Sequence, residues 1–479
     1  MSTTMRDKGT LEFALRPYRV DWSVIEEKHA AVLGMMEIFL GVAPHHCRYS
    51  YIWPPAYETM SVLVPNLFNV PFCDFGVGPI GGDLRSLAAY AVSRSFGCSY
   101  CSAHCAGLGT IRQGHDVFLA KNTQAMMPVP DPAVFNPKEL AAINIGKKLG
   151  AVPNEVTSDD IRSMARALTS EEEECVINAT VLMGFLNRFM DTLGMTLELE
   201  PLKMGNEHLA ESGWTAGISF DPEGDEELME EDRAMAERRE ERKKQACGGF
   251  TFMKMLVGAK MADSASLKGT PTSEKNVKQL CLERAGFAPY YLVGEEKSKM
   301  ANARNALVWA FTRRLCQGSE EVPAALKQTM GYMLATAANN TILRAHFAFM
   351  AHRNGVSVTD LANATTAEGG DTDGGQDLKE AAALSMARAC SGTPGPMPRE
   401  LVALLMRQYT PAGVIELVNT LSLVSMLQRW TSIYMPKQYE PEILAFVEEN
   451  GSALSLDPTK PCTEEQSGWR ALAAEIRSS

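Results

Sequence analysis

Apolar positions along the chain are spaced for helices: Ala, Leu and Met are abundant and long β-branched runs are few, which predicts a mainly helical protein with little or no sheet. Leu182, Leu186 and Arg188, four and then two residues apart, fit a buried helix carrying one anchored charge. Thr157-Ser-Asp-Asp and Thr169-Ser-Glu-Glu read as N-caps with acidic first turns, and Gly114 reads as a helix stop. Strong turns are expected at Pro65-Asn-Leu-Phe-Asn-Val-Pro71 and at Gly286-Phe-Ala-Pro289, each followed by a helix.

The pattern breaks between Asp221 and Gln245, where an acidic run gives way to a mixed one with few apolar residues. Such a segment buries too little surface to offset its ordering entropy, so it reads as a solvated helix or linker that divides the chain. The two sides of this division repeat. Leu84, Tyr90, Ala103, His104 and Ala106 match Leu326, Tyr332, Ala345, His346 and Ala348 at an offset of 242. Thr169, Asn178, Leu182, Leu186 and Arg188 match Thr410, Asn419, Leu423, Leu427 and Arg429 at 241. Two blocks with nearly unchanged separation imply a duplicated helical module. The expected organisation is an extension over 1–50, a first module over 51–205, a charged linker over 206–275, a second module over 276–440 and a tail over 441–479.

Composition narrows the function. The chain of 479 residues can bury a large core, and a net charge of -12 argues against a nucleic-acid surface, which needs clustered Lys and Arg. No long apolar run predicts a membrane span, and the first residues lack a signal-peptide pattern, so a soluble cytoplasmic protein is expected, with an imported organellar one as the alternative. The 11 cysteines are odd in number and scattered, unlike a secreted disulfide framework. Cys73, Cys175, Cys281, Cys316 and Cys390 read as small buried residues.

Residues 97–105, Gly-Cys-Ser-Tyr-Cys-Ser-Ala-His-Cys, differ from the scattered cysteines. Cys98, Cys101 and His104 stand three apart, so on a helix two sulfurs share a face with an imidazole that can take a thiol proton. A break at Gly97 would place the pair in a first helical turn, where unpaired N–H groups favour a thiolate. A thiolate oxidised by a hydroperoxide to sulfenic acid would condense with its neighbour to a disulfide. Zinc is the chemical rival, with Cys98, Cys101, His104 and Cys105 as ligand types, but tetrahedral sites normally draw on two segments rather than one helix.

Cys-Ser-Tyr-Cys-Ser-Ala-His after an apolar helix, with Phe185-Leu-Asn-Arg-Phe-Met-Asp-Thr-Leu-Gly-Met195 downstream, resembles the carboxymuconolactone decarboxylase superfamily in its alkylhydroperoxidase D-like (AhpD-like), peroxidase-related branch. The likeness spans about residues 50 to 205 and, more weakly, about 276 to 440. It implies an all-α fold of two tandem AhpD-like modules, peroxidase or disulfide reductase activity, and homo-oligomers with sites near subunit interfaces. It also implies Cys101 as peroxidatic, Cys98 as resolving and His104 in a proton relay. The partners would be a hydroperoxide and a thiol or disulfide reductant, with no cofactor beyond the Cys98-Cys101 disulfide. Hydroperoxide-reducing members of the branch usually carry a glutamate twelve residues before the first cysteine; here that position is Ser86, and Asp83 one turn earlier is the other candidate for the relay.

Asn340 and Leu343 stand where Cys98 and Cys101 stand in the first module, while His346 is retained. The second module is therefore expected to be structural, in place of a partner subunit, with His346 packed or hydrogen-bonded. His45-His46-Cys47 reads as a loop, Glu368 to Asp377 as a flexible insertion, and Trp53 and Tyr57 as core. A non-catalytic assembly protein is the rival reading; lactone decarboxylation is disfavoured because that chemistry needs no dithiol.

Overall fold

The computed structural model describes residues 8–70, 72–75, 77–108, 115–127, 130–131, 133–235, 249–366, 377–392 and 397–479. Among these, every regular element is a helix, as the abundance of Ala, Leu and Met and the scarcity of β-branched runs predict. Gly114, most of the basic half of the charge run and the stretch from Glu368 to Gln376 lie outside the described residues. No single described helix is long and apolar enough to cross a membrane.

The helices that position the site are α1 (Trp22–Leu40), α2 (Pro54–Phe68), α3 (Gly82–Phe96), α4 (Ser99–Leu108), α5 (Pro137–Gly150), α6 (Ser170–Leu193), α7 (Gly249–Ser266), α8 (Ala324–Ala337), α9 (Thr341–Arg353) and α10 (Pro411–Thr431). Capping fixes several starts: Thr157 and Thr169 each form a capping box with the residue three further on. One continuous apolar core runs from Leu11 to Ala473 and includes residues from both sides of the charge run.

Two close crossings set the geometry. In α5, a Cβ on Gly146 would stand 2.9 Å from the Ala88 carbonyl of α3, and one on Gly150 2.7 Å from that of Val92. The long buried helices α6 and α10 also meet backbone to backbone, since a Cβ on Gly184 would stand 2.7 Å from the Ser425 oxygen and 2.9 Å from the Met426 Cα.

Two expectations are corrected. Pro65 starts no turn but lies inside α2, which runs on to Phe68 and stops at Asn69 with φ +52°. A proline removes one ladder bond, and burial of Leu63, Leu67 and Phe68 keeps the helix going. The acidic half of the segment read as solvated is partly buried. Asp225 pairs with Arg16 at 2.7 Å and Lys8 at 2.8 Å, and Asp232 faces His45 at 3.1 Å, so the carboxylates have buried cations in place of water.

Candidate functional site

Helix α3 ends at Gly97, whose φ of +96° is in the left-handed region that glycine tolerates best. The Cys98 N–H then donates back to the Ser93 carbonyl at 2.9 Å, closing a Schellman turn. This turn makes Cys98 the N-cap of α4: its carbonyl accepts the first helical bond from Ser102 at 3.0 Å, and its sulfur accepts the Cys101 N–H at 3.3 Å. Both sulfurs are buried and unbridged. Burial raises the Cys98 thiol well above its ordinary range. It also raises Cys101, with the Cys98 sulfur acting against it, Asp191 adding to it and Arg429 opposing it.

One turn along α4, His104 Nε2 lies 2.8 Å from the Glu198 carboxylate. Glu198 is buried at the N-cap of a short helix, Leu199–Met204, and its other oxygen accepts the Tyr100 hydroxyl at 2.7 Å and the backbone N–H of His45. Burial alone would raise this carboxyl, but His104 and His45 hold it well below the usual range. An ionised Glu198 only accepts hydrogen bonds, so the His104 N–H it meets is on Nε2, and Nδ1 has no hydrogen-bond partner among the described residues.

His45 and His46 are not in a loop: His45 is the N-cap of a short helix, His46–Ser50. His45 Nδ1 faces the Thr196 carbonyl at 3.1 Å and Nε2 faces Asp232 at 3.1 Å, so both ring nitrogens donate and the ring is an imidazolium. Burial would lower its pKa, but Glu198 and Asp232 raise it to about 9. Burial pushes His46 the other way, to about 3, against Glu198 and with help from His104 and His45, which leaves it neutral. The two adjacent rings have different surroundings: His45 is held between Thr196 and Asp232, and His46 lines the cavity.

Cys101, His104, Cys105, Tyr100 and His46 form one wall of a cavity of about 200 Å³. The remaining walls are mainly apolar: Met36 and Phe39 of α1, Met60 and Phe68 of α2, Met183 and Leu186 of α6, and Leu256 of α7. Cys98 is not part of the lining. Ser86 is buried on α3 beside Arg85, and Asp83 sits in the first turn of that helix, 13 residues (about 20 Å) before its Cys-proximal end at Phe96; neither lines the cavity. Trp53 and Tyr57 also stay out of the lining, and Tyr57 is packed in a small separate core with Ile25 and Leu33. Among the described residues, no group of three or more His, Cys, Asp or Glu side chains is arranged to hold a metal ion.

Asp191 of α6 and Arg429 of α10 also reach the dithiol. Asp191 faces Cys98, and burial lifts its carboxyl to about 7 against the pull of Cys98, Arg188 and Arg429. The surroundings of Cys98 have a counterpart at the offset of 242. Asn339 takes the left-handed position of Gly97 at φ +53°, Asn340 caps α9 by accepting the Leu343 N–H at 3.1 Å, and Asn340 N–H returns to Ala335 at 2.9 Å. His346 Nε2 pairs with Glu440 at 2.9 Å, as His104 does with Glu198, but the His346 ring is packed against Phe287 with centroids 4.6 Å apart.

No protein-family model matches the chain, and no curated protein matches it. Over part of its length it is similar to solved structures of the debrominase Bmp8. The apo form shares 19% identity at a TM-score of 0.34, over 40% of this chain and 96% of that one. A variant of the same enzyme in complex with 2,3,4-tribromopyrrole shares 21% identity at a TM-score of 0.28, over 42% and 90%.

Proposed function

We propose that the chain is a thiol-dependent peroxidase that reduces organic hydroperoxides through Cys101 and Cys98. The reading is carried by one observation: Cys101 faces an apolar cavity, with the Cys98 sulfur against its backbone N–H and the His104 to Glu198 pair one helical turn away. His104 Nδ1 takes the Cys101 proton, and the thiolate attacks the distal peroxide oxygen. The O–O bond breaks, an S–O bond forms, and the departing alkoxide takes the proton from His104 to leave as an alcohol. Cys98 then attacks the sulfenic sulfur, hydroxide leaves and takes the Cys98 thiol proton to form water, and the Cys98-Cys101 disulfide remains. An external dithiol restores the thiols by exchange and is itself oxidised. Ser86 has no part in this relay, in which Glu198 supplies the carboxylate.

The same reading makes the chain a distant, duplicated member of the AhpD-like branch, with modules near 51–205 and 276–440. The matching turn, N-cap and His-Glu pair at one offset support the duplication. A second reading, a non-catalytic scaffold, has support of its own: the Cys98 sulfur does for α4 what the Asn340 amide does for α9, and burial raises both thiols. Stopped-flow consumption of cumene hydroperoxide by the reduced protein, with Cys98→Ser and Cys101→Ser, separates them. The peroxidase loses its fast phase with Cys101→Ser, and with Cys98→Ser it keeps the fast phase but ends as a Cys101 sulfenic acid instead of a disulfide. A scaffold reacts no faster than a free thiol in every form.

A further inference from the structure

The dithiol lies in a pocket whose charges do not balance. Arg188 of α6 and Arg429 of α10 are both buried and both stack on the Phe96 ring, 4.9 and 5.2 Å from its centroid, two residues before Cys98. Their hydrogen bonds go to neutral carbonyls, Arg188 to Gly392 at 3.0 Å and Arg429 to Thr180 at 3.0 Å. Among the described residues, the second terminal nitrogen of Arg429 has no hydrogen-bond partner, and neither does one oxygen of Asp191. Asp191 is the carboxyl that faces both guanidinium groups, and Cys390 packs beside Arg188 and Asp191 as a thiol. Tyr100, His104 and Cys105, on α4 itself, are the other titratable groups around Cys101.

Two cations against one carboxylate leave one positive charge in a site from which water is largely excluded. A buried guanidinium without an anion is among the costlier arrangements in a protein interior. Burial and the neighbouring Arg188 have already brought Arg429 down to about 9, against the pull of Cys101, Cys98 and Asp191. The thiols are the remaining groups in the pocket able to become anions.

We propose that Arg429, contributed by the side of the chain that carries no dithiol, is a positioning residue that supplies the positive charge against which the Cys101 thiolate forms. This inference rests on the peroxidase reading for its use but not for its chemistry. The close contact at Gly184 is what brings α10, and with it Arg429, to the dithiol. The degenerate side is then part of the site rather than a support for it, and Asp191 competes with the thiolate for the same cation.

The test is the rate of iodoacetamide alkylation at Cys101, resolved by peptide mass analysis from about pH 5 to about pH 10, in the reduced full-length protein. Arg429→Gln is expected to raise the midpoint by about one unit or more, and Arg429→Lys, which keeps the charge, to hold it within about half a unit. Asp191→Asn removes the competing anion and is expected to lower the midpoint by about one unit, an arm that stands even where Arg429→Gln does not fold. A folded Arg429→Gln with an unchanged midpoint, or Asp191→Asn with an unchanged or raised one, overturns the proposal. Peroxide treatment of the wild type is read separately. Arg429-dependent titration in a protein inert to peroxide would overturn the peroxidase reading and leave the charge pairing standing.

Discussion

His104 and Glu198, 94 residues apart in the chain, meet at 2.8 Å beside the dithiol, and the contact fixes which imidazole nitrogen holds the proton. Glu198 is itself held by the Tyr100 hydroxyl and the His45 backbone, so the basic nitrogen of His104 is oriented by a buried network rather than by its own helix alone.

Glu198→Gln therefore leaves the dithiol in place but weakens the base. Cumene hydroperoxide reduction at neutral pH is expected to fall by about 10² while the protein stays folded, because the glutamine oxygen can still accept from His45 and Tyr100. Stopped-flow rates beside a circular-dichroism melt check both halves of this statement.

His45 makes stability depend on pH. Its folded pKa, about 9, lies above the ordinary 6.5, so its contribution is complete below about pH 6.5 and is lost as pH rises through about 9. The melting temperature of the wild type should fall over that interval, and His45→Gln should flatten the fall. Scanning fluorimetry across the range measures it.

Gly97→Ala forces a Cβ into a left-handed turn and is expected to cost about 1–2 kcal/mol in urea unfolding. It should also slow peroxide reduction, because the turn sets the N-cap position of Cys98.

Gly184→Val drives side-chain atoms into the α10 backbone near Ser425 and Met426. Overpacking at that crossing is expected to cost about 1–3 kcal/mol or more and to lower Cys101 reactivity by displacing Arg429. A chemical denaturation curve with alkylation kinetics on the same variant tests the coupling.

The sequence reveals what is local and periodic. Helical spacing gives the all-α class, threonine and acidic pairs give the caps at Thr157 and Thr169, and three-residue steps bring Cys98, Cys101 and His104 together. Glu198 escapes because a carboxylate is sought at a fixed distance upstream, at Ser86 and Asp83, whereas the chain delivers it from 94 residues downstream. One signal for it exists: Glu440 follows His346 at the same interval, so the pair repeats at 242 just beyond the second matching block. Arg188 and Arg429 are visible as repeated residues, but their convergence on Phe96 depends on the helix crossing at Gly184, which no local pattern encodes. Asp225 and Asp232 look solvated because their cations, Lys8, Arg16 and His45, lie far earlier in the sequence.

The most direct test of the central claim is peptide mapping of the reduced protein after one equivalent of cumene hydroperoxide, with unreacted thiols blocked. The account predicts a Cys98-Cys101 disulfide as the main product in the wild type and sulfenic acid at Cys101 in Cys98→Ser. Oxidation spread over the other cysteines, with Cys98 and Cys101 recovered as free thiols, would contradict it.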